Sequence, residues 1–168
     1  MRELEKIINY EFKDKELLKM ALSHTSYCNE VKNGAQSNER LEFLGDSVLS
    51  IIVSDYLYKQ FGNLPEGELT KLRASLVCEK SLCVFSRELQ LGGFLRLGKG
   101  EEDNDGRYRK AIVADIFESF IGALFLDQGL DVVKKFIYTH VIPLIERREV
   151  DFFSDYKSIL QELVQTDK

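Results

Sequence analysis

The 168-residue sequence contains no tryptophan, only two prolines and three cysteines, and no apolar run long enough to cross a bilayer. Each shortage excludes something. Proline breaks helices, so its scarcity leaves long stretches free to coil. Cys28, Cys78 and Cys83 are odd in number, and no Cys-x-x-Cys pair or His-Cys cluster offers zinc-ligand spacing. A disulfide scaffold and a zinc module are both excluded, and the thiols read as reduced packing residues. A membrane span needs about eighteen or more consecutive apolar residues, and Met1 to Lys6 lacks the apolar stretch of a secretory signal. The expected location is the cytoplasm, with no membrane partner. Positive charge is short as well: 23 Lys and Arg against 28 Asp and Glu, net −5, which weighs against a broad phosphate-binding surface.

What is present is helical periodicity. Apolar residues recur three and four apart nearly everywhere, and 44% of the chain is hydrophobic, enough for one core in a length too short for two ordinary domains. The predicted fold is all-α. A first helix falls near 3–9, and Asp14 caps a second carrying Leu17, Leu18, Ala21 and Leu22. A polar loop follows over 24–36. Ser37 or Asn38 then caps a long helix through Leu41, Leu44, Val48, Ile52, Tyr56 and Leu57, stopped by Gly62-Asn63. Pro65 restarts a helix carrying Leu69, Leu72 and Leu76, and another spans 80–89. Gly92, Gly93, Gly98, Gly100 and Gly106 mark a mobile connection. The remainder reads as an apolar helix over 110–126, a long helix over 130–148 bent or restarted at Pro143, and a helix opening at Asp155 that the sequence leaves unfinished.

On the long helix, Glu39, Glu42 and Asp46 are three and four residues apart, which keeps them within roughly a 60° arc over about 10 Å. Leu41, Phe43, Leu44 and Val48 are interleaved with them, so the acids border apolar surface. A second pair, Asp115 and Glu118, sits one turn apart in another apolar helix. A carboxylate stripe on a helix is ordinarily a solvated face. Two such helices facing each other instead supply hard oxygen ligands suited to Mg²⁺, the equipment of metal-assisted phosphate hydrolysis. Spacing alone leaves both readings open.

The segment Asn38-Glu39-Arg40-Leu41-Glu42-Phe43-Leu44-Gly45-Asp46-Ser47 resembles the signature helix of the ribonuclease III family. The resemblance extends through residues 21–27, Pro65-Glu66-Gly67, residues 112–118, Gly122-Ala123 and Asp127-Gln128-Gly129. It implies a helical, dimeric nuclease domain over 1–150. By it, Glu42, Asp46, Asp115 and Glu118 are metal ligands, with Asp46 and Glu118 catalytic, and Glu39 and Glu66 support the acidic cleft. The cofactor implied is Mg²⁺, with Mn²⁺ able to substitute. The implied activity is cleavage of double-stranded RNA by a homodimer in the processing of rRNA and other RNAs. Metal-activated water leaves 5′-phosphate and 3′-hydroxyl ends with a short 3′ overhang. Phe43 is implied to insert into the partner subunit, although its spacing also suits simple core packing. Residues 151–168 resemble a linker and the first helix of a double-stranded-RNA-binding domain, in which Gln161 reaches RNA; most of that basic domain lies outside this sequence, which answers the charge objection.

Ser119 stands where alanine is common in the family, a change expected to have local effects on helix capping and packing only. Lys71, Arg73, Lys99, Arg107, Arg109 and Lys110 are candidate phosphate contacts, each more simply a solubilising surface charge. Helix-dipole capping explains Glu66 as well as a cleft role does. His24 has no nucleophile beside it, and metal-activated water needs no histidine, so it reads as structural.

Overall fold

A computed structural model describes residues 2–31 and 34–147, which form ten α-helices and two short 3₁₀ turns, with no strand among the described residues. The helices are α1 (Arg2–Ile7), α2 (Lys15–Ala21), α3 (Thr25–Val31), α4 (Glu39–Gln60), α5 (Glu66–Leu76), α6 (Glu79–Glu88), α7 (Lys99–Asp103), α8 (Lys110–Gln128), α9 (Leu130–His140) and α10 (Ile142–Glu146). Among the described residues, no helix is long and apolar enough to cross a membrane.

The architecture is organised around α8. Its sequence is apolar on nearly every side, and such a helix is stable in water only when covered all round. Residues Ile112, Val113, Ala114, Ile116, Phe117, Phe120, Ile121 and Leu124 are buried, with α2, α4, α6 and α9 packed about them. Rings of Phe12, Phe85 and Phe136 meet Phe117 and Phe120 at centroid distances of 5.4–5.9 Å.

The ends are fixed by identifiable chemistry. Asp14 Oδ1 accepts the Glu16 N–H at 2.9 Å, the predicted cap of α2. Asp127, at the far end of α8, accepts from the Tyr10 hydroxyl (2.7 Å) and the Lys13 and Asp14 N–H groups (3.1 and 2.8 Å), tying the N-terminal segment to the core helix. Gly129, at φ +82°, makes the turn from α8 into α9, and Pro143 lies in the first turn of α10.

The structure corrects the sequence reading in three places. The polar stretch 24–36 contains α3, a helix with no buried residue, so hydrophobic periodicity gave nothing to read. The glycine-rich connection is built from a turn at Leu91–Phe94, α7, and a turn at Gly106–Tyr108, pinned by Arg107 to Glu102 (2.5 and 2.8 Å) and to the Gly92 carbonyl (2.7 Å). At the start of α4, Asn38 makes no side-chain cap; Ser37 Oγ bonds Glu39 Oε2 at 2.9 Å instead. The segment 151–168, with Gln161, lies outside the described residues.

Candidate active site

The site is made by the crossing of α4 and α8, the most extensive helix contact in the fold. Two glycines permit it. A Cβ added to Gly45 would fall 1.7 Å from the Glu118 carbonyl oxygen, and one added to Gly122 would fall 2.2 Å from that of Leu41. No side chain fits at either place, so backbone meets backbone. Gly45 lies between Glu42 and Asp46, and Gly122 one turn beyond Glu118; the approach therefore brings the two acidic stripes together.

Glu42, Asp115 and Glu118 each offer a carboxylate oxygen, all within 4.8 Å of one another, on side chains partly but not fully withdrawn from solvent. Burial pushes Glu118 up to about 7, and the charges of Asp46, Glu42 and Asp115 add to the shift. Burial likewise raises Glu42, with help from Asp115, Glu39 and Asp46. Asp115 is raised by burial, lowered by His24 and raised by Glu79. Acids this close repel one another unless a cation lies among them. Hard carboxylate oxygens on two helices fit a divalent ion of the Mg²⁺ type; the upward shifts on all three come first from burial, and on Glu42 and Glu118 next from neighbouring carboxylates.

Other predicted residues fall around this centre. Asp46 is exposed and outside the three-carboxylate group, yet it is the foremost charge acting on Glu118. Glu39 is exposed at the first turn of α4 and acts on Glu42. Glu66 is not brought to the cluster within this chain: it bonds Thr70 Oγ1 at 2.9 Å and lines a separate cleft with Ile51, Tyr58 and Arg73. Phe43 projects into solvent, 79% exposed, so it is not a core residue of this chain. The candidate phosphate contacts are largely engaged. Arg109 pairs with Glu101 at 2.6 Å, Lys71 with Glu68 at 2.9 Å, and Arg73 Nη1 donates to Ser54 Oγ at 3.3 Å.

Two features went unread in the sequence. Gly45 and Gly122 carried their own signal, since glycine inside a long helix is unfavourable and implies a close approach. Ser119 ties two helices together: its buried Oγ shares its one hydrogen between the Ala21 carbonyl (2.9 Å) and the own-helix Ile116 carbonyl (3.0 Å), linking α2 to α8 beside Glu118.

Comparison with known proteins converges on one family. The Ribonuclease-III-like family model matches residues 14–145. Ribonuclease 3 of Oceanobacillus iheyensis is 53% identical over 169 residues, spanning 100% of this chain and 74% of that protein. Ribonuclease 3 of Streptococcus gordonii is 53% identical over 157 residues, 93% of this chain and 68% of that one. The solved nuclease domain of ribonuclease III from Campylobacter jejuni, described for flexibility in a region involved in dimer formation, matches with a TM-score of 0.77. It is 42% identical, covering 83% of this chain and 94% of the other.

Proposed function

This chain belongs to the ribonuclease III family, and from that premise we propose that it is an endonuclease that hydrolyses double-stranded RNA at the α4–α8 acidic cluster. The observation that supports this most is the gathering of Glu42, Asp115 and Glu118 within 4.8 Å across two helices that meet through Gly45 and Gly122. A surface accident would not require the backbones to touch.

In the proposed reaction Glu42, Asp115 and Glu118 hold Mg²⁺, for which Mn²⁺ can substitute, and Asp46 and Glu39 extend the negative field at the mouth of the cleft. An ion held there would supply an acidified water as nucleophile and positive charge to offset the negative charge developing on the leaving 3′-oxygen. Glu118 and Asp46 orient that water and the departing oxygen, leaving a 5′-phosphate and a 3′-hydroxyl. Two chains, docked through the α4 face that presents Phe43, act on the two strands and leave a short 3′ overhang. The physiological substrates proposed are structured precursors of rRNA and other RNAs.

The test is cleavage of a long RNA duplex in Mg²⁺ by this chain and by Glu118→Gln, with a single-stranded RNA of the same sequence as control. We expect duplex-selective cutting that the variant loses by about a thousandfold or more, as when a metal ligand is removed from the reacting centre. Equal cutting by both proteins would remove Glu118 from the reaction, and a folded dimer that cuts nothing would leave an RNA-binding module as the better description.

A further inference from the structure

One side chain at the site has no part in the reaction as described. The bond from Ser119 Oγ to the Ala21 carbonyl fixes the end of α2 against the stretch of α8 that carries Asp115 and Glu118. Three residues past Ala21, the imidazole of His24 is near enough to act on Asp115. Among the described residues it is the one basic side chain found to bear on Glu42, Asp115 or Glu118; the other groups acting on them are carboxylates.

The ring is held from its opposite edge. His24 Nδ1 accepts the Ser26 N–H at 3.2 Å and lies 2.8 Å from Ser26 Oγ. That hydroxyl oxygen already accepts the Gly98 N–H at 2.9 Å, which leaves its hydrogen to point at Nδ1. A nitrogen that accepts two hydrogen bonds carries no hydrogen of its own, so the ring hydrogen is on Nε2. The backbone is fixed too, with His24 N–H on the Arg96 carbonyl at 3.0 Å and the His24 carbonyl accepting from Tyr27 and Cys28. Nε2 has no partner among the described residues, on a ring half-open to solvent. The result is a donor with a fixed orientation, beside a carboxylate cluster, with nothing yet to donate to.

We propose that His24 orients the scissile phosphate by donating its Nε2–H to a non-bridging phosphate oxygen. This rests on the phosphodiester hydrolysis proposed above. A cluster built of carboxylates repels the phosphate it must approach. A lysine or arginine here would pair with the acids and compete with the divalent ion for them, whereas the Nε2–H of an imidazole whose Nδ1 is an acceptor supplies a hydrogen bond to phosphate without a full charge.

Two substitutions separate this role from capping α3. His24→Asn keeps an acceptor near the Nδ1 position for the Ser26 N–H and removes the Nε2 donor. His24→Gln keeps a donor near the Nε2 position and gives up the cap. On duplex RNA in Mg²⁺, His24→Asn should lower kcat roughly 10- to 100-fold, the range for one hydrogen bond to a charged group, with KM unchanged. Its melting temperature and its Mg²⁺ affinity by calorimetry should match the parent's. His24→Gln should melt lower yet turn over faster than His24→Asn. Parental kcat in His24→Asn overturns the proposal while leaving the nuclease reading intact. So does a loss of Mg²⁺ affinity that parallels the loss of kcat, which would place the effect on Asp115. If the unchanged chain, folded and dimeric, cuts no duplex, both readings fall together.

Discussion

Glu118 is the side chain on which the site's electrostatic cost is concentrated. Its position near 7, raised by burial and by Asp46, Glu42 and Asp115, means that the folded chain without a cation retains a proton that the unfolded chain has already released in the ordinary carboxylate range. Where the native state binds more protons, stability falls as pH rises. The destabilisation is therefore absent at pH 4 and below, grows between about pH 4.5 and 7, and is complete above that. Screening at the partly open cleft limits it to about 1–2 kcal/mol. Glu118→Gln should accordingly raise the melting temperature of EDTA-treated protein at pH 8 and leave it nearly unchanged at pH 4. Mg²⁺ should stabilise the parent at pH 8 more than it does the variant. A variant–parent difference that is the same at both pH values would show that this carboxyl carries no strain.

At the scale of elements, the α4–α8 crossing sets what the acids can do. Gly45→Ala adds a methyl 1.7 Å from the Glu118 carbonyl, and α8 cannot yield there without disturbing its own hydrogen bonds. The gain in helix propensity is about 1 kcal/mol, and overpacking should overwhelm it, leaving a net loss of about 1–3 kcal/mol in urea unfolding together with lost cutting. Gly67, also in a helix, has nothing within 4 Å of the added Cβ, so Gly67→Ala should be neutral or stabilising by up to about 1 kcal/mol. Opposite signs at two helical glycines would identify contact, not propensity, as the cause. Periodicity revealed α4 and α8 because both are long and bury whole faces, and it placed Glu39, Glu42 and Asp46 on one stripe. It could not say which of the three meets α8. That depends on the crossing point fixed by Gly45 and Gly122, which selects Glu42 and leaves Glu39 at the rim. The helix α3 escaped notice because it buries nothing, and the electrostatic influence of His24 on Asp115 escaped because the two are 91 positions apart in sequence and meet through the packing of α2 on α8.

At the scale of the whole molecule, the exposed face of α4 lies beside the single acid cluster found among the described residues. Phe43, Ile51 and Tyr58 are 79%, 57% and 74% exposed and lie within roughly an 80° arc of α4, an apolar stripe that water covers poorly. The stripe adjoins the acids, with Asp46 roughly 60° around the helix from Phe43. The strands of an RNA duplex are antiparallel and related by two-fold axes, so a two-fold dimer with equivalent clusters presents one to each strand, which a lone chain cannot do. Phe43→Asp puts a charge on the stripe proposed to form that dimer contact and leaves Glu42, Asp115 and Glu118 in place. Sedimentation at micromolar concentration should show the parent as a dimer and the variant as a monomer. Mg²⁺ affinity should persist in the variant, while double-strand breaks give way to no cutting or isolated nicks on a native gel. A variant that remains dimeric and breaks both strands would assign the stripe to another surface and require the two clusters to be brought together through a different face of the molecule.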